Sequence, residues 1–156
     1  MNKVKFLCIA VLFSILNIAS AEDIRWDVNG LTRGRVIDVQ VSPYHAAYQY
    51  SYLTLTRGEC LSIKIKFYPT ENYNFYTPCR CYFLFMNQMI HIPQIQIHLY
   101  TVGGGYVSNH EPLIAYREYE CSVDWDIPKS YPLLDGELII ILDNLFNIRI
   151  AAHIDR

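Results

Sequence analysis

The sequence predicts an all-β protein: an antiparallel, immunoglobulin-like sandwich of two sheets enclosing an apolar cavity. Three observations lead there. Apolar residues recur at every second position in several stretches, which is the period of a half-buried strand. Turn-forming residues separate these stretches at short spacing. No stretch keeps a helical period, and the chain has no internal repeat. The Cys, Trp and Cys spacing of antibody-type domains is absent.

Taken in order, residues 26–29 read as a short first strand ended by Gly30. In 35–42, Ile37, Val39 and Val41 alternate with Asp38, Gln40 and Ser42, and Pro43 stops pairing because it has no N–H to donate. Residues 47–55 read as a loop or edge strand. The cleanest strand is 61–68, with Leu61, Ile63, Ile65 and Phe67 inward and Ser62, Lys64 and Lys66 outward. A tyrosine-rich connection, 69–78, leads to strand 79–87, apolar on both faces at Phe83 to Met86, and then to strand 89–100. Strands 118–127, 137–143 and 148–154 follow, which gives seven or eight in all. The sandwich is expected to bury Phe83, Leu84, Phe85, Met86, Met89, Ile90, Ile92 and the Ile139 to Leu142 run. Either loops cover the second face of 83–86, or the sheets stand apart around a cavity.

The most informative stretch is 121–143. Cys121, Val123, Trp125 and Ile127 share one parity, and Ser122, Asp124 and Asp126 the other. The linker Ile127-Pro128-Lys129-Ser130-Tyr131-Pro132 then sets an isoleucine and a tyrosine among prolines, where a turn is ordinarily polar. Stiff backbone could hold both side chains as the lip of a cavity; the plainer reading is a stiffened sheet edge with two core residues.

Residues Met1–Ala21 read as a secretory signal: Lys3 and Lys5, an apolar run from Phe6 to Leu16, then Ala19-Ser20-Ala21. The run is too short to span a bilayer. The domain expected is therefore 22–156, secreted or extracellular, with the endolysosomal lumen a further destination. Losing two lysines makes it more acidic than the formal −2 of the whole chain, which argues against a nucleic-acid partner. Of five cysteines, Cys8 lies in the signal. Cys60, Cys79, Cys81 and Cys121 suggest two disulfides. Cys79 and Cys81 are too strained to bridge each other, so each is expected to pair with Cys60 or Cys121. A C-x-C metal site competes, but no His and Cys cluster at zinc spacing supports it.

Catalytic signatures are missing: there is no G-x-S-x-G elbow and no G-x-x-x-x-G-K phosphate loop. Gly103 to Gly105 reads as a flexible turn. His91 and His98 have opposite parities, and His45, His110 and His153 are scattered. Asp124, Asp126 and Asp143 read as solvated charges. No enzyme, cofactor or metal centre is expected. An apolar interior without catalytic groups would be a carrier site.

Three segments in order resemble the ML-domain lipid-recognition family, whose members include the soluble Niemann-Pick type C sterol carrier, the ganglioside activator and mite group 2 allergens. They are Gly34-Arg35-Val36-Ile37-Asp38-Val39-Gln40-Val41-Ser42-Pro43; Leu55-Thr56-Arg57-Gly58 leading to Ser62-Ile63-Lys64-Ile65-Lys66-Phe67; and Ile127 to Pro132 with the last two strands. The resemblance implies a sandwich whose sheets splay to admit an apolar lipid, whether sterol, fatty acid or glycolipid, with membrane or receptor contact during transfer. It implies an entrance at Ile127, Tyr131 and Pro132, with Ile92-Pro93 as a further rim segment. Phe67, Phe83, Phe85, Ile65, Val123, Trp125 and Ile140 are cavity-wall candidates by parity. The chain departs from the sterol-carrier pattern in its cysteines: Tyr44 stands after V-S-P, and Val28 and Ala151 replace the bridge from first to last strand. Two alternatives share the fold: an adaptor presenting glycolipid or pattern lipid to a receptor or hydrolase, and a cavity-free structural or adhesive module.

Overall fold

A computed structural model describes residues 26–28, 32–42, 52–74, 79–108 and 111–156. The expected signal segment, Tyr44, His45 and His110 lie outside these residues. The described elements are all strands: β1 Trp26–Val28, β2 Gly34–Ser42, β3 Leu53–Thr56, β4 Cys60–Pro69, β5 Tyr73–Asn74, β6 Arg80–Phe85, β7 Gln88–His91, β8 Ile95–Thr101, β9 Pro112–Leu113, β10 Tyr119–Asp126, β11 Asp135–Leu142 and β12 Phe146–Asp155. No described helix is long and apolar enough to cross a membrane.

Two sheets pack face to face. One is ordered β1-β12-β11-β6-β7, with β3 added on β12; the other is ordered β2-β4-β10-β8. A small β5-β9 pair lies apart. The expected sandwich is therefore the fold observed. All ladders are antiparallel except β3 on β12, which runs parallel. In the four-stranded sheet β10 is central: Trp125 pairs with Leu61 and Ile95, Val123 with Ile63 and Ile97, Cys121 with Ile65 and Leu99, and Tyr119 with Phe67 and Thr101. Each of these sets shares the inward parity read from the sequence. The facing sheet contributes Cys81, Phe83, Leu138, Ile140, Phe146, Ile148 and Ile150, all buried in the same core.

The differences from expectation have local causes. Ile37 was expected inward but is 44% exposed. The β2-β4 register shifts between Val36 and Asp38, so Ile37 is the extra residue of a bulge, and Val36 packs on the core in its place. The expected strand 89–100 is two strands in different sheets. It breaks at Ile92-Pro93-Gln94 because a proline cannot continue a ladder. Met86 and Asn87 form a two-residue hairpin turn, both at positive φ (49° and 61°). Met86, Met89 and Ile90 are consequently exposed rather than buried, and Leu84 is half-buried on the outer face. Val28 lies opposite Ile148, not Ala151.

Gly136 is fixed by close packing. A Cβ there would stand 2.2 Å from the Leu84 carbonyl oxygen and 2.7 Å from Phe83 Cε1. Backbone cannot yield as a flexible side chain can. Gly136→Ala is expected to lower unfolding free energy by about 1–3 kcal/mol in a urea titration.

Candidate functional site

The ends of the sandwich differ. At one end Phe67 packs on Phe146 with ring centroids 5.1 Å apart and on Tyr119 at 6.0 Å. The Tyr119 hydroxyl accepts a hydrogen bond from the Ile114 N–H (2.9 Å), and the Tyr73 hydroxyl donates to Asp143. Rings and paired polar groups close this end.

At the other end a single loop, 127–134, carries the chain from β10 to β11. It is pinned by backbone hydrogen bonds. The Ile127 N–H donates to the Glu59 carbonyl (3.0 Å), and the Gly58 N–H donates to the Ile127 carbonyl (2.7 Å). Gly58 has φ +86°, and a side chain there would stand 2.9 Å from Lys129 Cε, so only glycine makes this clamp without strain. The Tyr131 N–H closes a turn on the Pro128 carbonyl, and Arg57 donates to the Tyr131 carbonyl (3.1 Å). The Ile154 N–H donates to the Leu134 carbonyl and returns the loop to β12.

Within this frame Ile127 is buried, while Tyr131 is half-buried and packs edge-on to Trp125 at 5.5 Å. Leu134 also packs on the core. Pro132 and Leu133 face outward, Leu133 at 47% exposure. The Met86-Asn87 turn projects from the same end, because Leu84 pairs with Glu137 just after the loop rejoins β11. Ile92 is buried, and its N–H donates to the Cys81 carbonyl (3.0 Å), whereas Pro93 is exposed. Since Ile95 pairs with Trp125, Ile92-Pro93-Gln94 climbs the open side between edge strands β7 and β8. It connects the edge strands of the two sheets and ends one residue before the rung of Trp125. Trp125, Phe83 and Ile140 line the interior, Phe67 lies at the closed end, and Phe85 is half-buried near the loop.

Sequence reasoning did not find the isolated polar atom here. Trp125 is 1% exposed, and its indole Nε1 has no hydrogen-bond partner among the described residues. Leaving such a donor unpaired costs about 1–3 kcal/mol. A tryptophan on the inward parity near a strand's end was a visible signal, since buried indoles usually find an acceptor.

The cysteines depart from the two-disulfide expectation. All four are free thiols. Cys79, Cys81 and Cys121 are buried on inward faces, and Cys121 and Cys81 both interact with the Cys79 sulfur. That interaction holds the Cys79 thiol below its usual range, and proximity to Cys79 with burial pushes Cys81 and Cys121 up. Cys60 lies exposed on the outer parity beside Asp126, which raises its thiol. Cys60 therefore cannot reach Cys79 or Cys81 without turning its strand over. Among the described residues no group of His, Cys, Asp or Glu is placed to hold a metal.

Two outer hollows lie among the described residues. One, of about 450 Å³, lies over Lys64, Lys66, Tyr100 and Glu120; the other, of about 410 Å³, lies over Tyr52, Asp135 and His153. Neither contains a residue expected at the site.

No protein-family model matches the sequence, and no curated protein does. Solved structures do match. A Niemann-Pick type C2 protein from the Japanese carpenter ant aligns with a TM-score of 0.64 at 14% identity, over 84% of this chain and 99% of that one. The fold is thus similar to that of the ant protein, as the ML-domain resemblance implied. A family 123 glycoside hydrolase from Clostridium perfringens aligns at a TM-score of 0.47 and 13% identity, over 66% of this chain and 22% of that one. That likeness is too partial to bear on function.

Burial raises the Tyr131 hydroxyl above the ordinary phenol range. Burial, then the hydrogen bond and charge of Asp143, does the same at Tyr73. The folded protein therefore resists ionising them. Their stabilisation is present in full below about pH 10 and is lost as pH rises through the folded values. Denaturation midpoints are expected to fall in that alkaline window, and Tyr131→Phe to fall less steeply than wild type.

Proposed function

We propose that this protein binds an apolar lipid between its two sheets and transfers it without chemistry. The observation that carries the reading is the lining: inward residues of both sheets are apolar side chains and thiols, closed by rings at one end and by the pinned 127–134 loop at the other. The similarity of fold to a Niemann-Pick type C2 protein supports it. In this reading Tyr131 swings from Trp125, the sheets part beneath it, and the guest enters along the strands. Burying a few hundred Å² of lipid at roughly 25 cal/mol per Å² gives on the order of 5–10 kcal/mol before binding costs. The signal-like segment 1–21 fits a secreted carrier.

The test is native mass spectrometry of the purified protein before and after organic extraction, followed by uptake of labelled sterol and fatty acid. A co-purifying lipid and saturable uptake are expected. Tyr131→Asp places a carboxylate in a half-buried doorway and is expected to weaken uptake roughly tenfold or more with the fold intact by circular dichroism. Unchanged uptake would remove Tyr131 from the entrance, and an empty protein that takes up nothing would leave the structural-module reading.

Membrane contact during transfer is part of the proposal. Met86 (81% exposed), Met89 (52%) and Leu133 stand at the loop end of the sandwich, where an apolar tip could enter the headgroup boundary of a bilayer. Met86→Asp is expected to reduce co-sedimentation with phosphatidylcholine vesicles severalfold, while binding of a monomeric lipid in solution stays as in wild type.

A further inference from the structure

We infer that the Trp125 indole N–H is a polar anchor for the guest, donating a hydrogen bond to an oxygen on an otherwise apolar molecule just beneath the 127–134 loop. This rests on the lipid-binding reading above and narrows it: the guest is a lipid with an acceptor oxygen at one end, such as a long-chain alcohol, acid or sterol, rather than plain hydrocarbon.

The position and the residue type both support it. Trp125 is almost wholly buried, and its Nε1 is unpartnered. Two other buried atoms lack partners, Asn147 Oδ1 and Arg149 Nε, but Asn147 and Arg149 take the outward parity of β12, opposite Ile148 and Ile150. Among the described residues Trp125 therefore holds the inward-parity orphan. Its ladder neighbours are Leu61 and Ile95, and Ile127 follows on the strand, so no acceptor comes from them. Tyr131 offers a ring at 5.5 Å, and an N–H to a ring face is a weak substitute for an oxygen. A phenylalanine or leucine would fill this place with no donor to satisfy. The Tyr119 hydroxyl, inward at the closed end, is already engaged by the Ile114 N–H. From Trp125 down to Tyr119 the strand runs about 20 Å at roughly 3.3 Å per residue. With the sheets parted, an extended chain of that length would set its oxygen at Trp125 and its tail toward Phe67.

Hexadecanol and hexadecane, which differ by one oxygen, test this on the full chain with wild type and Trp125→Phe. Wild type is expected to bind hexadecanol, the variant to bind it roughly tenfold more weakly, and hexadecane to bind both equally. In the wild type, the indole ¹⁵N–¹H signal absent from the variant should shift on adding hexadecanol and stay still with hexadecane. If both ligands weaken alike, or neither does while wild type binds them, the anchor is overturned and the carrier stands. If the indole signal ignores the alcohol, the anchor is overturned even should the variant fold poorly. If wild type binds neither ligand, the carrier reading falls and the anchor with it.

Discussion

The structure depends on side-chain parity in β10 and on the register that locks it between β4 and β8. Tyr119, Cys121, Val123 and Trp125 meet inward residues of both neighbours, rung by rung. A slip of one residue would turn Asp124 and Asp126 into the interior and the tryptophan out to water, a change no ladder hydrogen bond could offset. Because β10 is central, its register also sets where the 127–134 loop leaves the sheet. The loop then lies over the open end without needing a long connection, and its clamp by Gly58 and Glu59 comes from the turn that opens β4, the strand paired with β10. Register and lid are one constraint.

That constraint divides the molecule by polarity. Outward parities hold the charges: Lys64 pairs with Glu120, and Arg149 with Glu137. At these exposures such pairs contribute little to stability, so they orient and solubilise the surface rather than hold the fold. Inward parities hold hydrocarbon, rings and thiols. In the proposed carrier a guest's hydrocarbon would replace contacts between inward side chains of the two sheets, apolar for apolar. In that proposal, selectivity for a guest would come from the few polar atoms inside, which places the weight on Trp125.

The sequence was legible where alternation was strict. Leu61 to Phe67, Cys121 to Ile127 and Ile148 to Ile154 face as their parity says. It was not legible where one residue breaks the count. Nothing in Gly34 to Ser42 marks Ile37 as a bulge, because the bulge is settled by pairing with β4 and not by the strand itself. The 89–100 run kept an apolar content typical of one strand, and only Pro93 hinted that it changes sheets. Ile127 and Tyr131 share the 127–134 loop, whereas Ile92 lies in the connection from β7 to β8, a crossing between sheets that sequence order alone does not reveal. Cys60 carried no mark of facing outward except its parity with Ser62, and pairing it with Cys79 or Cys81 ignored that parity.

Unpaired cost is spread unevenly over the structure. At the closed end Asp143 and Tyr116 hold positive φ, a costly conformation for a side-chain-bearing residue. Each has a compensating contact there: Asp143 takes the Tyr73 hydroxyl, and Tyr116 donates its N–H to the Pro69 carbonyl and stacks on Tyr68. At the loop end the costs stand without return. Met86 and Asn87 hold a turn that Asn-Gly would form with less strain, and the methionine so displayed is mostly exposed. Trp125 buries an N–H that bonds to nothing among the described residues. Folding alone gives no reason to retain the Met86 side chain or the indole N–H, because common substitutions would relieve both. Residues that break local rules without a compensating contact in the fold mark where something outside the chain is met. Here both lie at the end covered by Tyr131: one turned toward the surroundings, the other toward the core between the sheets.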